Sequence, residues 1–147
     1  MGHRCDGTGG SLAHNGVMPA SIATRIVPGR EPNDCAISVL AMYLGVSYED
    51  VLRQVAVLDR PYQGRQGLIL REVIRIARSL GTVIRRQRKF DILTAYGMLS
   101  LPHHIVLLRA GVIVDPEPGG ATLWEVEDFF HAYPTLRPGW LLVADGE

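Results

Sequence analysis

The chain has 147 residues, of which 47% are hydrophobic and 20% are charged, as expected for one globular domain. Its fifteen basic and fifteen acidic residues cancel, so the net charge does not favour nucleic acid or an anionic membrane surface as a partner. No apolar run approaches the roughly 20 residues of a membrane span, and the first residues lack the apolar stretch of a secretory signal. With two cysteines only, Cys5 and Cys35, the sequence has no disulfide framework. We expect a protein of the reducing cytoplasm or of a virus particle.

The first twenty residues form a glycine-rich leader without periodicity, which predicts a flexible segment. We expect this leader to become ordered only against a protein partner or within a larger assembly. Residues 21–147 are predicted to form a single domain. The domain begins with SIATRIVPG, which has the composition of a short strand ended by Pro28 and Gly29.

Three helices are predicted in the first half of the domain. The first covers residues 35–44, with Asn33 or Asp34 as its N-cap and Gly45 as its C-cap. The second covers residues 48–58 after the N-cap Ser47, and the third covers residues 68–80 before Gly81. Apolar residues recur at helical spacing in each, and the first helix is apolar enough to be central.

After Gly81 the pattern changes to strands. TVIRRQRKF is one predicted strand, and HIVLLRAGVIVDP is read as two strands joined by a tight turn at residues 109–111. A short helix is predicted over residues 123–130, and GWLLVA is predicted to be the last strand. Helices followed by an antiparallel sheet indicate an α+β fold, with a helical lobe packed on a C-terminal sheet.

Cys35 stands at the first turn of the predicted first helix, where a thiol would be activated. The positive end of the helix dipole and the unpaired N–H groups of the first turn both favour the thiolate, which is the nucleophilic form. The same N–H groups could stabilise an oxyanion formed by attack on a carbonyl. The alternative is a cysteine that packs as a small apolar side chain, because free cysteine is among the most buried residue types.

A nucleophilic cysteine needs a base, and the tandem histidines His103 and His104 offer one. They precede the predicted strand IVLL, so a strand edge would hold an imidazole in place. The predicted turn lies midway between His104 and Asp115, which makes these two residues near neighbours across the hairpin. Asp115 could then orient one ring nitrogen of His104 and leave the other facing the thiol. The alternatives are two solvated histidines and an Asp-Pro turn.

Three blocks of the sequence resemble the papain-like cysteine peptidases, and in particular the bacteriocin-processing, or double-glycine leader, peptidases. The blocks are NDCAISVLAMYLGVSYEDV, GLILREVIRIARSLGT and HIVLLRAGVIVDP, which together cover roughly residues 33–116. The resemblance implies a papain-like fold and a Cys-His-Asp triad. In that triad Cys35 is the nucleophile, His104 the base and later the acid, and Asp115 the orienting carboxylate, with His103 as the alternative base. It also implies hydrolysis of a peptide amide bond through a thioester.

The sequence departs from this family at the oxyanion site. These peptidases carry a glutamine about six residues before the cysteine, whereas this chain has Gly29 and Arg30 in the stretch PGREPND. Asn33 is the candidate that could donate to the oxyanion instead. Loss of one oxyanion donor costs about a hundred- to a thousand-fold in rate. Two functions therefore stay open: a cysteine peptidase or amidase, with cell-wall peptides as a candidate substrate, or a weak or inactive peptidase-like subunit of a larger assembly such as a phage particle or tail tip.

Nucleic-acid and metal sites are disfavoured by the sequence. The basic stretch RRQRKF has one aromatic residue within a neutral chain, which is more typical of an edge strand protected by cations than of a nucleic-acid site. The cations are Arg85, Arg86, Arg88 and Lys89. The cysteines and histidines lack the spacing of a zinc site, so we expect no metal and no cofactor.

Overall fold

The structure is a computed structural model that describes residues 27, 29–30, 34–58, 60, 67–117 and 120–145. The leader with Cys5, most of the predicted first strand, and Asn33 lie outside these ranges. The division of the chain into a leader and one domain therefore stays a prediction.

The helices of the described residues are α1 (Cys35–Leu44), α2 (Tyr48–Arg53), α3 (Leu70–Ser79) and α4 (Val126–Ala132), with a 3-10 helix at Gln54–Val57 after α2. The strands are β1 (Ile84–Gln87), β2 (Tyr96–Leu101), β3 (His104–Arg109), β4 (Val112–Glu117), β5 (Gly120–Glu125) and β6 (Leu141–Ala144). They form a six-stranded sheet in the order β1-β6-β2-β3-β4-β5, with every pair antiparallel. The predicted α+β class is confirmed.

Helix α1 has the predicted bounds and is the central helix. Every residue except its last is buried, and it ends at Gly45, whose left-handed φ of +72° lets its N–H donate to the Ala41 carbonyl. Asp34, one of the two predicted candidates, is the N-cap residue, but its side chain makes no capping bond. The Asp34 main-chain carbonyl instead accepts from the N–H groups of Ile37 and Ser38.

The other helices are shorter than predicted. The predicted cap of α2 is present, because Ser47 Oγ accepts from the Asp50 N–H at 3.0 Å. The α-helical part nevertheless ends at Arg53, where the chain tightens into the 3-10 helix. Helix α3 starts at Leu70 instead of residue 68, and the Gly81 that follows it has a φ of +94°.

Two of the strands were not predicted, and one predicted helix begins too early. No element was predicted over the residues of β2, and β5 contains Leu123, which was assigned to the last helix. Leu123 pairs with Val114 of β4, and the neighbouring Trp124 is buried on the opposite face of the sheet. This alternation of buried side chains is that of a strand, so the helix starts only at Val126.

Both faces of the sheet are covered, which gives two apolar clusters. Helix α1 packs on one face, which we call the helix-α1 face; it includes Met98, Ile105 and Leu107. Helix α4 packs on the other face, with Phe129 fully buried there. Across the described ranges no single helix has the length and hydropathy of a membrane span, although α1 and the stretch Tyr48–Val57, bent by 115°, pass that test as a pair.

The pairing of β3 with β4 covers only the half of the hairpin nearest its turn. It runs from Arg109↔Val112 to Leu107↔Val114. On its other side β4 pairs with β5 as far as Glu117↔Gly120. The turn itself, as predicted, is tight: Ala110 and Gly111 both have positive φ, of +45° and +84°.

Replacing Gly97 with alanine should destabilise the sheet, because a Cβ at this position in β2 would lie 2.7 Å from the Leu142 carbonyl oxygen of β6. We expect a loss of about 1–3 kcal/mol in the free energy of unfolding, measured by urea denaturation. Replacement of the exposed Lys89 with alanine is the control and should stay within about 0.5 kcal/mol. An unchanged stability for Gly97→Ala would contradict the close β2–β6 approach.

Candidate active site

A cleft of about 510 Å³ lies between the start of α1, the segment before α3 and the β2–β3 hairpin. Cys35 and His104 line it together. The rest of its wall is mostly apolar and includes Leu68, Ile69, Leu70, Val73 and Leu101. The cleft is thus a concave site in which a thiol and an imidazole meet an apolar surface.

Cys35 is the first residue of α1, at the positive end of the helix. It is 7% exposed, so it is largely packed and still borders the cleft. The preceding residue, Asp34, is held by two hydrogen bonds to its side chain. Its Oδ2 accepts from the Tyr48 hydroxyl at 2.5 Å and from the Arg30 N–H at 2.8 Å. The thiol therefore lies at the N-terminus of α1, next to a residue whose buried carboxylate is held by hydrogen bonds.

His104 is the first residue of β3, and its Nε2 lies 2.8 Å from Asp115 Oδ1 on β4. Both side chains are fully buried. His104 also forms a hydrogen bond with Cys35. Because Nε2 is engaged by Asp115, Nδ1 is the ring nitrogen left for the thiol. The arrangement can accept, hold and return a proton next to a nucleophile.

The electrostatics favour a protonated His104. Burial alone would lower the pKa of the imidazole, since the charged form loses hydration. Hydrogen bonds to Asp115 and Cys35, together with the negative charges of both, outweigh burial and raise the pKa from 6.5 to about 9. At neutral pH the imidazole is then charged, which is what a thiolate–imidazolium pair would require of the histidine.

The other two predicted site residues, His103 and Asn33, have no described hydrogen bond to Cys35, His104 or Asp115. His103 borders the same cleft, but it is an exposed residue of the β2–β3 turn with a φ of +58°. It has no hydrogen-bond partner among the residues that the structure describes. Asn33 lies outside those residues, so its predicted oxyanion role stays a prediction.

Sequence reasoning missed the contribution of Asp34. It was taken as a helix cap, whereas its carboxylate, in a residue that is 1% exposed, joins α1 to Tyr48 of α2. The adjacent Arg30 side chain lies 4.2 Å from the Tyr48 ring centroid and pairs with Glu49 at 2.6 Å. The only signal in the sequence was the position of this aspartate directly before Cys35.

The comparisons with known proteins give one structural match of interest. No family model matches the sequence, and no curated protein matches it either. Among solved structures, the chain is similar to a double glycine motif protease from an AMS/PCAT transporter, crystallised in complex with the leader peptide. The TM-score is 0.57 at 22% sequence identity, over 81% of this chain and 89% of that chain. The papain-like α+β fold and the predicted resemblance to double-glycine peptidases are thereby confirmed at the level of the fold.

The raised pKa of His104 can be measured directly by NMR of ¹³C-labelled histidine. We expect the His104 ring to titrate near pH 9 in the wild type and at lower pH in Asp115→Asn, which loses a charged partner. Comparison with His104→Gln assigns the signal.

Since this pKa lies above the ordinary value of 6.5, the charged imidazole contributes fully to stability below about pH 6.5 and loses that contribution as the pH rises through about 9. A His104 signal that titrates at or below 6.5 in the wild type would contradict the hydrogen-bonded pair.

Proposed function

We propose that the protein is a cysteine peptidase that hydrolyses a peptide amide bond, with Cys35 as nucleophile, His104 as acid and base, and Asp115 as the orienting carboxylate. The proposal is carried by one observation: the His104 ring, held through Nε2 by Asp115, lines the same cleft as Cys35 at the start of a helix and interacts with that thiol. The structural neighbour, a double glycine motif protease, supports a peptidase in general terms.

The reaction begins with attack of the Cys35 thiolate on the carbonyl carbon of the scissile bond. As the tetrahedral intermediate collapses, His104 Nδ1–H donates its proton to the leaving amine, and a thioester remains on Cys35. His104, now neutral, takes a proton from water, and the hydroxide formed attacks the thioester. The carboxylic acid product leaves, and the thiolate–imidazolium pair is restored. Asp115 keeps its charge throughout and holds the ring in one orientation.

The oxyanion is proposed to be stabilised by N–H groups at the start of α1, with Asn33 as a further candidate donor. Arg30, one of the two residues that stand where the family has its glutamine, is exposed, and its main-chain N–H donates to Asp34. We therefore propose an enzyme slower than peptidases that have the full set of donors.

The substrate is proposed to be a peptide that lies in the cleft of about 510 Å³. The neighbour was crystallised with a leader peptide, so peptides that end in two glycines before the scissile bond belong in a substrate panel. Cell-wall peptides belong in the same panel. A peptidase-like subunit without activity is the alternative, and the comparisons give no support for a phage assembly.

The reactivity of Cys35 tests the proposed nucleophile. In a Cys5→Ser background only Cys35 can be alkylated, and we expect iodoacetamide to label it well below pH 8, because the thiolate is stabilised by His104 and the helix end. In His104→Ala the labelling profile should move towards that of an ordinary thiol with a pKa near 8.5. Intact-mass spectrometry measures the rates. A Cys35 that resists labelling below pH 8 would favour the inactive subunit.

Peptide cleavage by matched histidine variants tests the assignment of the base. We expect His104→Ala to lower kcat/KM by roughly 10²–10⁴-fold, since it removes the acid and base, and Cys35→Ala to abolish turnover. His103→Ala, which alters the neighbouring residue in the same cleft, should retain activity within a few-fold. Chromatography of the peptide panel provides the rates. Equal losses in the two histidine variants would contradict the role given to His104.

A further inference from the structure

A row of residues on the helix-α1 face leads from the cleft towards the edge of the sheet. Ile105 of β3 borders the cleft and is paired with Ser100 of β2. Ser100 is joined to Trp140, just before β6, by two hydrogen bonds: its N–H donates to the Trp140 carbonyl at 2.9 Å, and its Oγ accepts from the Trp140 N–H at 2.7 Å. Trp140 packs against the same apolar cluster as Cys35. The row thus joins the candidate active site to Trp140.

Arg86 of the edge strand β1 and Arg88, the residue that follows this strand, continue the row beyond Trp140. The register Gln87↔Leu141 places Arg88 beside Trp140, and the Arg88 guanidinium lies 4.1 Å from the ring centroid. The Arg86 guanidinium lies 6.0 Å from the same centroid. Both distances are those of cation–π contacts. The indole therefore holds two guanidinium groups at one place on the surface.

These arginines are available to an anion. Both are exposed, and within the part of the chain that the structure describes neither forms an ion pair with a carboxylate. Arg88 borders an open depression of about 580 Å³ whose lining also includes Lys89 and Asp91. Asp91 already accepts a hydrogen bond from the Leu93 N–H at 2.9 Å. Positive charge is thus in excess at this end of the row.

The segment that carries Trp140 is held tightly against β2. A Cβ on Gly139 would lie 2.9 Å from Ser100 Oγ, and the Gly139 N–H donates to the Ser100 carbonyl at 2.9 Å. Only glycine permits this approach without a shift of Ser100. The distance between the cleft and the arginines is therefore fixed by the sheet, as a specificity site requires.

The separation can be expressed in peptide residues. From β3 through β2 and β6 to β1 there are three strand spacings of about 4.8 Å, or roughly 14 Å. An extended peptide advances by about 3.3 Å per residue. A peptide whose scissile bond lies near Cys35 would therefore bring the residue about four positions from that bond to the arginines.

We infer that Trp140, Arg86 and Arg88 form a distal specificity site for a carboxylate about four residues from the scissile bond of a bound peptide, an inference that rests on the proposed function. The guanidinium groups would bind the carboxylate by charge-assisted hydrogen bonds, and the indole would hold them in place. The carboxylate can belong to an aspartate or glutamate side chain or to the end of the peptide. A compact pair of cations in a neutral chain suits one carboxylate better than the repeated phosphates of nucleic acid.

Affinity labelling of Cys35 tests the site without the need for turnover. Two peptide series carry the electrophile at opposite ends, as an N-terminal chloroacetyl group or a C-terminal chloromethyl ketone, so that both chain directions are covered. In each series glutamate or glutamine is placed one to five residues from the electrophile, the remaining residues are alanine, and the free end is blocked. A glutamine peptide with an unblocked carboxyl end tests the terminal carboxylate. Intact-mass spectrometry of the Cys5→Ser protein gives the labelling rates.

We expect glutamate to speed labelling over glutamine by roughly three- to ten-fold at about four residues in one series, with a ratio near one at the shortest spacing. The ratio should fall with added salt and approach one in Arg88→Gln. Arg85→Gln is the matched control, because it removes the same charge three residues earlier in the chain, while Arg85 is paired with Val143 of the opposite face. That variant should keep the ratio.

The outcomes separate the site from the proposed function. If iodoacetamide and the glutamine peptides label Cys35 but glutamate gives no advantage at any position, the distal site is overturned and the peptidase stands. If Cys35 reacts with no reagent, the proposed peptidase function is overturned. The distal site is then tested by fluorescence anisotropy, which measures the affinity of the same peptides made without the electrophile and with a neutral dye. Equal affinities for glutamate and glutamine peptides then overturn it. Tighter binding of an oligothymidine that also depends on Arg88 would assign the arginines to nucleic acid and overturn it as well.

Discussion

The hydrogen bond between His104 and Asp115 is made where neither side chain meets water, and this sets the conditions for the rest of the site. Two polar groups in such a place must satisfy each other, because a buried charge that loses its partner typically costs about 3–5 kcal/mol. The bond joins neighbouring strands, so the sheet itself fixes the position of the imidazole. The position of the imidazole is fixed, but its protonation can change. Asp115 and Cys35 together favour the protonated ring.

The thiol of Cys35 is held in place by contacts other than those that hold His104. The two sets of contacts come together only at the cleft. Helix α1 is enclosed over nearly its whole length, so it has little freedom to move relative to the sheet. At its start, the Asp34 carboxylate is tied to Tyr48 of α2, fourteen residues further along the chain. The nucleophile thus belongs to the helical layer and the base to the sheet. Their alignment depends on the apolar packing between the two layers.

Local features of the sequence were sufficient for much of this arrangement. The polar dipeptide before Cys35 and the glycine after Leu44 defined α1, and the Ala110-Gly111 turn defined the hairpin that brings His104 near Asp115. Strand β2 was not predicted, because its sequence YGMLSL has no β-branched residue, whereas the equally buried β3 carries Ile105 and Val106.

Other features depend on contacts between distant segments. The bond from Tyr48 to Asp34 depends on how α2 packs beside α1, and the approach of Arg88 to Trp140 depends on the strand order. Neither contact could be predicted from the local sequence. The same holds for the close packing of Gly139 on Ser100. The candidate catalytic residues could be predicted from short motifs, whereas the surface that joins them to Trp140 and Arg88 could not.

The early end of the β3–β4 pairing has a cause in the residue that follows Asp115. With a two-residue turn after Arg109, the main-chain groups of residues 112, 114 and 116 on β4 face β3. Position 116 is a proline, which has no N–H to donate. The ladder therefore cannot extend to Ile105, and the two strands are free to part at the level where the imidazole and the carboxylate need room. The missing N–H of Pro116 thus ends the β3–β4 ladder before the level of the buried pair, so His104 and Asp115 are joined by their side chains and not by main-chain pairing.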